Sequence, residues 1–348
     1  MKKNAISVIS IILITLFLTS CTVSSDKYTA YSFDYFDTVT VITGYANSQE
    51  EFDKIKDEIL YELKIYHQLY TIYDRYEDLN NLRTINTLTN GTHDKVSVDK
   101  KIIGMLLFSK DMHEMTNGAV NIAMGSVLSI WHDYRQEGIT NPKEAKLPSK
   151  EELKAAAEHI DLKKLIINEE ENSVYISDPN MKLDVGAVAK GYAVEMIAQL
   201  LESRGITGYV LNVGGNVRTV GSRADGTPWK VGIENPAQDP ENPYIEILEL
   251  SGQALVTSGS YQRYYTVNGK NYHHIIDPET LMPSESYVSI SIVSSSSALA
   301  DALSTALFTM DYEEGLALIE SISNSEALWL FSNGEVKYSS GFAAYISN

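Results

Sequence analysis

The stretch Tyr264-Tyr265-Thr266-Val267-Asn268-Gly269-Lys270-Asn271-Tyr272-His273-His274-Ile275-Ile276 decides the fold class. Two β-rich runs, 264–267 and 271–276, flank Asn-Gly, the pair that best supplies the positive φ angles of a type I′ hairpin turn. The reading is an antiparallel ribbon, and its neighbours extend the pattern. Towards the N-terminus, 244–250, 229–234, 209–213 and 174–177 read as strands. Towards the C-terminus, 287–293 is a strand, and 328–331 with 336–338 forms a second hairpin around Asn333-Gly334. Helices interrupt these runs: one ends at Arg204-Gly205 and one covers 298–310. In the first half, residues 32–44 alternate Phe, Val and Ile with polar residues and predict one strand. Ser48 with Glu51 makes a capping box for a helix with Phe52, Ile55, Ile59, Leu63 and Tyr66 on one stripe. A second helix starts after Asp99 and stops at Asn117-Gly118, and Ser149 with Glu152 opens a short third. Helices and antiparallel strands mix without βαβ regularity. The expected class is therefore α+β, with mixed, largely antiparallel sheets and packed helices.

Composition bounds function only loosely. The chain has 348 residues, 44% hydrophobic and 21% charged, which is ordinary for a globular protein. Its formal charge of −18 excludes nucleic acid as a partner, because phosphate neutralisation needs clustered Lys and Arg. The N-terminus says more. Lys2 and Lys3 precede an apolar run from Ala5 to Leu18, shorter than the roughly 20 residues a membrane-spanning helix needs. The arrangement fits a secretory signal. The ending Leu18-Thr19-Ser20-Cys21 is similar to a bacterial lipobox, in which the Cys is acylated and becomes the first mature residue; an ordinary signal peptide or an uncleaved anchor are the alternatives. Cys21 is the chain's only cysteine, so no intramolecular disulfide forms. The expected division is a signal peptide over 1–20, a lipidated Cys21 with a tether over 21–30, and one functional domain over 31–348. The expected location is the cell membrane, lipid-anchored on its extracytoplasmic face.

Three constellations carry possible chemistry. In Asp184-Val185-Gly186-Ala187-Val188-Ala189-Lys190-Gly191-Tyr192, a Gly-rich turn enters a helix. Free backbone N–H groups at the positive end of the helix dipole suit a phosphate, although packing glycines at a plain helix entry give the same pattern. The order is not that of a Walker A loop. Asp301 and Thr305, at i and i+4, share a helix face where a carboxylate and a hydroxyl can meet one hard cation, with Ser304 near enough to contribute; capping or surface roles are the alternative. His273 and His274 are adjacent in a strand and point to opposite faces, so only one can line a given site. A His beside a phosphate can take a proton from an attacking hydroxyl, or it can be a satisfied structural residue next to a turn.

Taken in order, these segments resemble the FAD:protein FMN transferase family, also called the ApbE family. The likeness runs from about Phe36 to Met310. Its elements are 184–192, 212–218, Pro228-Trp229-x-Val231-Gly232-Ile233, Thr257-Ser258-Gly259-x-Tyr261, Tyr272-x-His274-Ile275-Ile276-Asp277-Pro278-x-Thr280, and Ala300-Asp301 with Thr305. The resemblance implies that FAD is the substrate, that Mg²⁺ lies beside its pyrophosphate, and that a Ser or Thr hydroxyl of an acceptor protein attacks the FMN-side phosphorus and releases AMP. It implies a metal site of Asp301, Thr305 and an oxygen of Ala187. It implies FAD contacts at Phe36, Tyr73, Ala119, Val120, Asn121, Asp184, Lys190 and Ile276, and His274 as the group that activates the hydroxyl.

Several positions depart from the family pattern. Asn121 and Asn216 stand where Asp is frequent, Ala187 where Gly or Thr is, and Ser304 where some members carry a second Asp. The metal would then rest on one carboxylate, completed by the FAD phosphates. Leu281 replaces a usual Gly; if its φ is positive, the cost is about 1–2 kcal/mol unless the turn is rebuilt. Two other functions share these features. In an FAD pyrophosphatase, water replaces the acceptor hydroxyl and FMN and AMP are released. In a non-catalytic flavin-binding lipoprotein, no metal beside the pyrophosphate is needed.

Overall fold

The Asn268-Gly269 turn forms as its sequence requires, with φ of 51° and 82°. It joins strands that pair Tyr264 with His273 and Val267 with Lys270. The computed structural model describes residues 25–88 and 95–347. In chain order its elements begin with β1 (Asp26–Ser32), β2 (Thr40–Ala46), α1 (Gln49–Tyr70), α2 (Leu82–Leu88), β3 (Val96–Ser97), α3 (Lys100–Met115), α4 (Gly125–Thr140) and α5 (Lys150–Ala157). There follow β4 (Leu165–Asn168), β5 (Ser173–Ile176), α6 (Ala189–Ser203), β6 (Tyr209–Val213), β7 (Asn216–Val220), β8 (Trp229–Glu234), β9 (Tyr244–Leu250) and β10 (Ala254–Gly259). The chain closes with β11 (Tyr264–Val267), β12 (Lys270–His273), β13 (Tyr287–Ser294), α7 (Ser297–Thr309), α8 (Tyr312–Glu320), β14 (Ser325–Phe331) and β15 (Val336–Tyr338).

An eight-stranded sheet in the order β1-β2-β6-β7-β10-β13-β14-β15 organises the molecule, and every neighbouring pair in it is antiparallel. The α+β expectation holds. Strand alternation divides the core between the two faces. Val256 and Ile292 point into the larger cluster with the helices. Their chain neighbours Leu255 and Val293 point the other way, onto Ile233, Leu248 and Leu250 of the separate β8–β9 ribbon. On the helical face, α7 lies on β10 and β13, and α6 packs against α7, β7 and α1.

The helix signals act as expected. Ser48 accepts from the Glu51 amide at 3.2 Å, and all five stripe residues of α1 are buried. Asp99 caps α3 through the Lys101 amide. Asn117 and Gly118 end it with φ of 48° and 90°. Ser149 caps α5.

Two expectations need correction. Residues 32–44 are not one strand: Phe36 and Asp37 take φ of 59° and 50°, which reverses the chain between β1 and β2. The tether does not extend to residue 30 either, because β1 starts at Asp26 and pairs with β2 along its length. The inward residues of β1 are Tyr28, Ala30 and Ser32, too small or polar to give an apolar alternation, and Tyr28 gains its place by stacking on Phe52. The signal segment, Cys21 and the first residues of the tether lie outside the described residues. No helix among the described residues is long and apolar enough to cross a membrane.

A buried charge network fixes α6 against α7. The Arg218 guanidinium on β7 donates to Glu195 at 3.1 Å and to Glu202 at 3.0 Å, both on α6. Glu195 also accepts from the Ser297 amide at 2.7 Å, so it satisfies an otherwise orphaned donor in the first turn of α7. Arg218 and Glu195 are each about 3% exposed, so either group alone would be a stranded charge. Arg218→Met should therefore destabilise the fold by about 3–5 kcal/mol. Denaturant unfolding checks this, and an unchanged midpoint would contradict the role given to the network.

Candidate active site

Helices α6 and α7 meet at Gly191, and there the first constellation joins the second. A Cβ on Gly191 would overlap Asp301 Cβ and the Ser297 carbonyl oxygen. Only glycine lets the helices approach this closely. The Gly191 amide donates to Asp301 Oδ2 at 2.8 Å. Gly191 is the third residue of α6 after the N-cap Val188, so its amide is a first-turn donor with no partner inside the helix, and Asp301 satisfies it. The Ala187 carbonyl, one residue before that N-cap, has no donor among the described residues. The glycine of this segment thus packs two helices, as the plain reading of the pattern has it.

Asp301 is about 4% exposed, which removes the surface reading. Besides the Gly191 bond, Oδ1 accepts from Asn216 Nδ2 at 3.2 Å and lies 3.7 Å from Lys190 Nζ. Asn216 therefore supplies a neutral donor where a second carboxylate would repel Asp301. Thr305, one turn on, lines the same cleft, as do Ala187 and Lys190. Ser304 does not contribute: it is fully buried, donates to the Asp301 carbonyl at 2.9 Å and meets Ser258 at 2.8 Å. The available donors are thus a carboxylate, a hydroxyl and a carbonyl. All are hard oxygens of the kind Mg²⁺ takes when substrate phosphates and water fill its other positions, so the residues fit that ion. Among the described residues no group of three or more His, Cys, Asp or Glu could hold a metal without such help.

The cleft has a volume of about 340 Å³. Its walls come from the β1–β2 turn, the end of α1, the segment before α4, α4 itself, the entry to α6, the end of β10, the residues after β12, and α7. Of the residues implicated by sequence, Phe36, Tyr73, Ala119, Asn121, Asp184, Ala187, Lys190, His274, Ile276, Asp301 and Thr305 all line it. Val120 does not. It is 1% exposed in the main core, and its backbone is taken by His113 Nδ1 at 3.0 Å and Thr116 Oγ1 at 3.0 Å. Val120 anchors the wall, while its neighbours face the cleft.

Local structure explains the placement. Phe36 sits in the left-handed turn, its amide donating to His67 Nδ1 at 3.2 Å. The Asp184 amide donates to Ile122 at 2.8 Å and the Gly125 amide to Lys182 at 3.0 Å, which lays 119–125 beside the entry to α6. Asn121 turns its amide to the Ile160 carbonyl. Burial pushes the Asp184 carboxyl above its ordinary range, opposed by a bond from the Gly186 amide and by the nearby His132 and Arg135. Leu281 keeps a positive φ of 61°. Its amide bonds to Asp277 and its carbonyl accepts from Trp131 Nε1 at 2.9 Å, so surrounding bonds hold the strained turn without rebuilding it.

The two histidines part as the strand geometry requires. His273 turns inward, bonds the Ser284 carbonyl at 2.5 Å and meets Phe308 edge-on. His274 faces the cleft with Nδ1 3.3 Å from the Arg263 carbonyl. That contact makes Nδ1 the protonated nitrogen and leaves Nε2 free to accept. Burial, then the charges of Arg263 and Arg135, push the His274 ring down from 6.5 to about 3. At neutral pH the ring is unprotonated, as a base must be. Between pH 6.5 and about 3 the unfolded chain binds a proton here that the folded chain does not, so stability falls as pH falls through that window. Thermal unfolding from pH 7 to pH 4 should show a shallower decline for His274→Gln than for the wild type. Parallel curves would contradict the depressed value.

The sequence reading missed α4 and with it Trp131, His132 and Arg135, which line the cleft together with Gln262 and Arg263. The ring of His132 lies 5.4 Å from that of Tyr73. Val127 and Trp131 at i and i+4 are both buried and were the available signal, but the half-buried apolar Leu128 and Ile130 between them blur it.

A family model described as the ApbE family matches residues 29–329. The chain belongs to the ApbE family. Similar members include an FAD:protein FMN transferase from Klebsiella pneumoniae, 28% identical over 282 residues, spanning 78% of this chain and 84% of the relative. One from Vibrio cholerae is 32% identical over 238 residues, spanning 68% and 67%. The crystal structure of the ApbE protein of Thermotoga maritima superposes with a TM-score of 0.80 at 27% identity, covering 93% of this chain and all of that one. The flavin transferase ApbE of Vibrio cholerae shares the fold, with a TM-score of 0.75 at 24% identity over 92% of this chain and 99% of the other. The ApbE relatives are enzymes, and this ApbE chain has the cleft and the polar groups to be one.

Proposed function

We propose that the chain transfers FMN from FAD to a Ser or Thr hydroxyl of acceptor proteins, with Mg²⁺, leaving a phosphoester and releasing AMP. The observation that supports this reading is the buried Asp301 carboxylate, held by the Gly191 amide near Lys190, in a cleft also lined by Thr305 and Ala187. A flavin carrier has no need of such a site. Asp301, Thr305 and the Ala187 carbonyl would hold Mg²⁺, which when bound neutralises the pyrophosphate and polarises the reacting phosphorus. Lys190 and the first-turn amides of α6 supply further positive charge to the phosphates. Phe36, Tyr73, Ala119, Asn121, Asp184 and Ile276 line the remaining cleft and would hold the flavin and adenosine ends of FAD.

The acceptor hydroxyl oxygen forms a bond to the FMN-side phosphorus, the bond from that phosphorus to the bridging oxygen breaks, and the bridging oxygen leaves on AMP. The hydroxyl proton goes to His274 Nε2. In-line transfer of this kind depends on positioning and charge neutralisation, which rigid helices supply.

Anchoring at the extracytoplasmic face of the cell membrane through a lipid on Cys21 belongs to the same proposal, supported by the short apolar segment and by Leu18-Thr19-Ser20-Cys21. AMP release from FAD with Mg²⁺, measured with and without an acceptor protein, tests the proposal. Release that depends on acceptor is expected; rapid release of AMP and FMN regardless of acceptor would make the enzyme a pyrophosphatase.

A further inference from the structure

The edge strand β1 carries an apolar patch that nothing in the fold covers. Along it, Tyr28, Ala30 and Ser32 face inward, so Lys27, Thr29 and Tyr31 face outward. The partners of those three on β2 are Tyr45, Thr43 and Val41, and the Thr29 and Thr43 hydroxyls meet at 3.1 Å on this outer face. Phe33 and Val39 come next in the same register, on either side of the β1–β2 turn. Tyr31, Phe33 and Val39 are 67%, 73% and 42% exposed. The β8–β9 ribbon reaches this face at its other end, where Trp229 lies against Tyr45. None of the outward residues is acidic, in a chain with 46 acidic residues. The nearest carboxylate, Asp34, turns back to accept from Ser32 Oγ at 2.8 Å.

The length of chain before β1 says what covers the patch. Strand β1 starts at Asp26, five residues after Cys21. Such a segment spans at most about 17 Å, whereas a domain of this size has a radius of gyration of roughly 20 Å. A lipid on Cys21 therefore cannot hold the domain clear of the bilayer, and a face next to β1 must rest on it. Helix α1, on the inner side of the sheet, opens with exposed Glu50 and Glu51, which anionic lipid repels. The outer face instead offers aromatic rings and Lys27, the side chains that settle at a membrane–water boundary. Because β1 is the edge of the eight-stranded sheet, a flat bilayer can reach it.

We propose that the outer face of β1 and β2 lies on the lipid surface, with Tyr31 and Phe33 among the headgroups. The inference rests on the anchoring of Cys21 and is independent of the flavin chemistry. It has a consequence for the acceptor. The turn that follows Phe33 gives Phe36, Asp37 and Thr38 to the cleft wall, so the cleft is held near the membrane plane and serves hydroxyls presented there.

The test uses the mature lipidated chain in vesicles of phosphatidylethanolamine and phosphatidylglycerol. With Cys21 acylated, Phe33→Cys or Asn333→Cys supplies a single free thiol for an environment-sensitive fluorophore. Asn333 lies in the β14–β15 turn, at the opposite edge of the sheet. The label at 33 should shift to the blue and be quenched by brominated lipid, while the label at 333 stays in water. A label at 33 that also reads water would overturn the proposal. Tyr31→Ser with Phe33→Ser should lower transfer to an acceptor held in the same vesicles about fivefold or more, and leave transfer to a soluble acceptor fragment unchanged. Equal loss with both acceptors would mean that the patch grips the acceptor protein, which also overturns it. If the wild type transfers no FMN, the flavin reading fails, and the fluorescence still decides the membrane contact. A Cys21 without acyl groups by mass spectrometry would remove the anchor and the proposal with it.

Discussion

Asp301→Asn should lower FMN transfer about a thousandfold or more, while FAD binding measured without metal changes by only a few-fold. The substitution keeps the shape of the side chain. Its carbonyl oxygen can still accept from the Gly191 amide, the bond that measures 2.8 Å in the native protein. What it removes is the only carboxylate in the proposed metal-holding set, since Asn216 contributes a neutral amide and the Ser304 hydroxyl is engaged by the Asp301 carbonyl and Ser258. The loss should therefore fall on turnover rather than on the fold. AMP release and acceptor labelling give the rate, and flavin fluorescence gives the binding. A variant with wild-type turnover would remove the metal from the mechanism.

Gly191→Ala reaches the same carboxylate from the other side. The added methyl would overlap Asp301 Cβ and the Ser297 carbonyl, which is backbone and cannot rotate away. Helices α6 and α7 must then separate, and the cost of such overpacking is about 1–3 kcal/mol. The separation also moves Asp301 relative to Ala187 and Thr305. A shift of about 1 Å at a reacting centre costs about a hundredfold in rate. The expected variant is folded, melts at a lower temperature than the wild type, and transfers FMN about a hundredfold more slowly. Full activity with a lowered melting temperature would show that α6–α7 packing and the site are independent.

Much of this was legible in the sequence where the determinants are local. Asn268-Gly269, Ser48 with Glu51, Asp99 and Asn117-Gly118 each specify a backbone geometry within a few residues, and each took that geometry. Strand β1 was not legible, because its inward residues Tyr28, Ala30 and Ser32 carry little apolar signal and depend on pairing with β2 for their place. The turn at Phe36 and Asp37 was hidden for a related reason. Apolar alternation continued through it, and only the tertiary bond from the Phe36 amide to His67 distinguishes it from a strand.

At the site, the residues themselves were found by resemblance, but the way they work together was not. The bond from the Gly191 amide to Asp301 is a contact across 110 positions of sequence. No spacing rule contains it. The same holds for Glu195, whose carboxylate joins Arg218 on β7 to the first turn of α7. Arg135 and Arg263 escaped notice because isolated arginines in an acidic chain look like solvated surface, and only the fold brings them to one cleft.

The most direct measurement of the central claim is mass spectrometry of an acceptor protein after incubation with the mature chain, FAD and Mg²⁺. The account predicts a Ser- or Thr-containing acceptor peptide that carries one FMN through a phosphoester, formed in step with AMP and absent with Asp301→Asn. Unmodified acceptor accompanied by free FMN and AMP would contradict it.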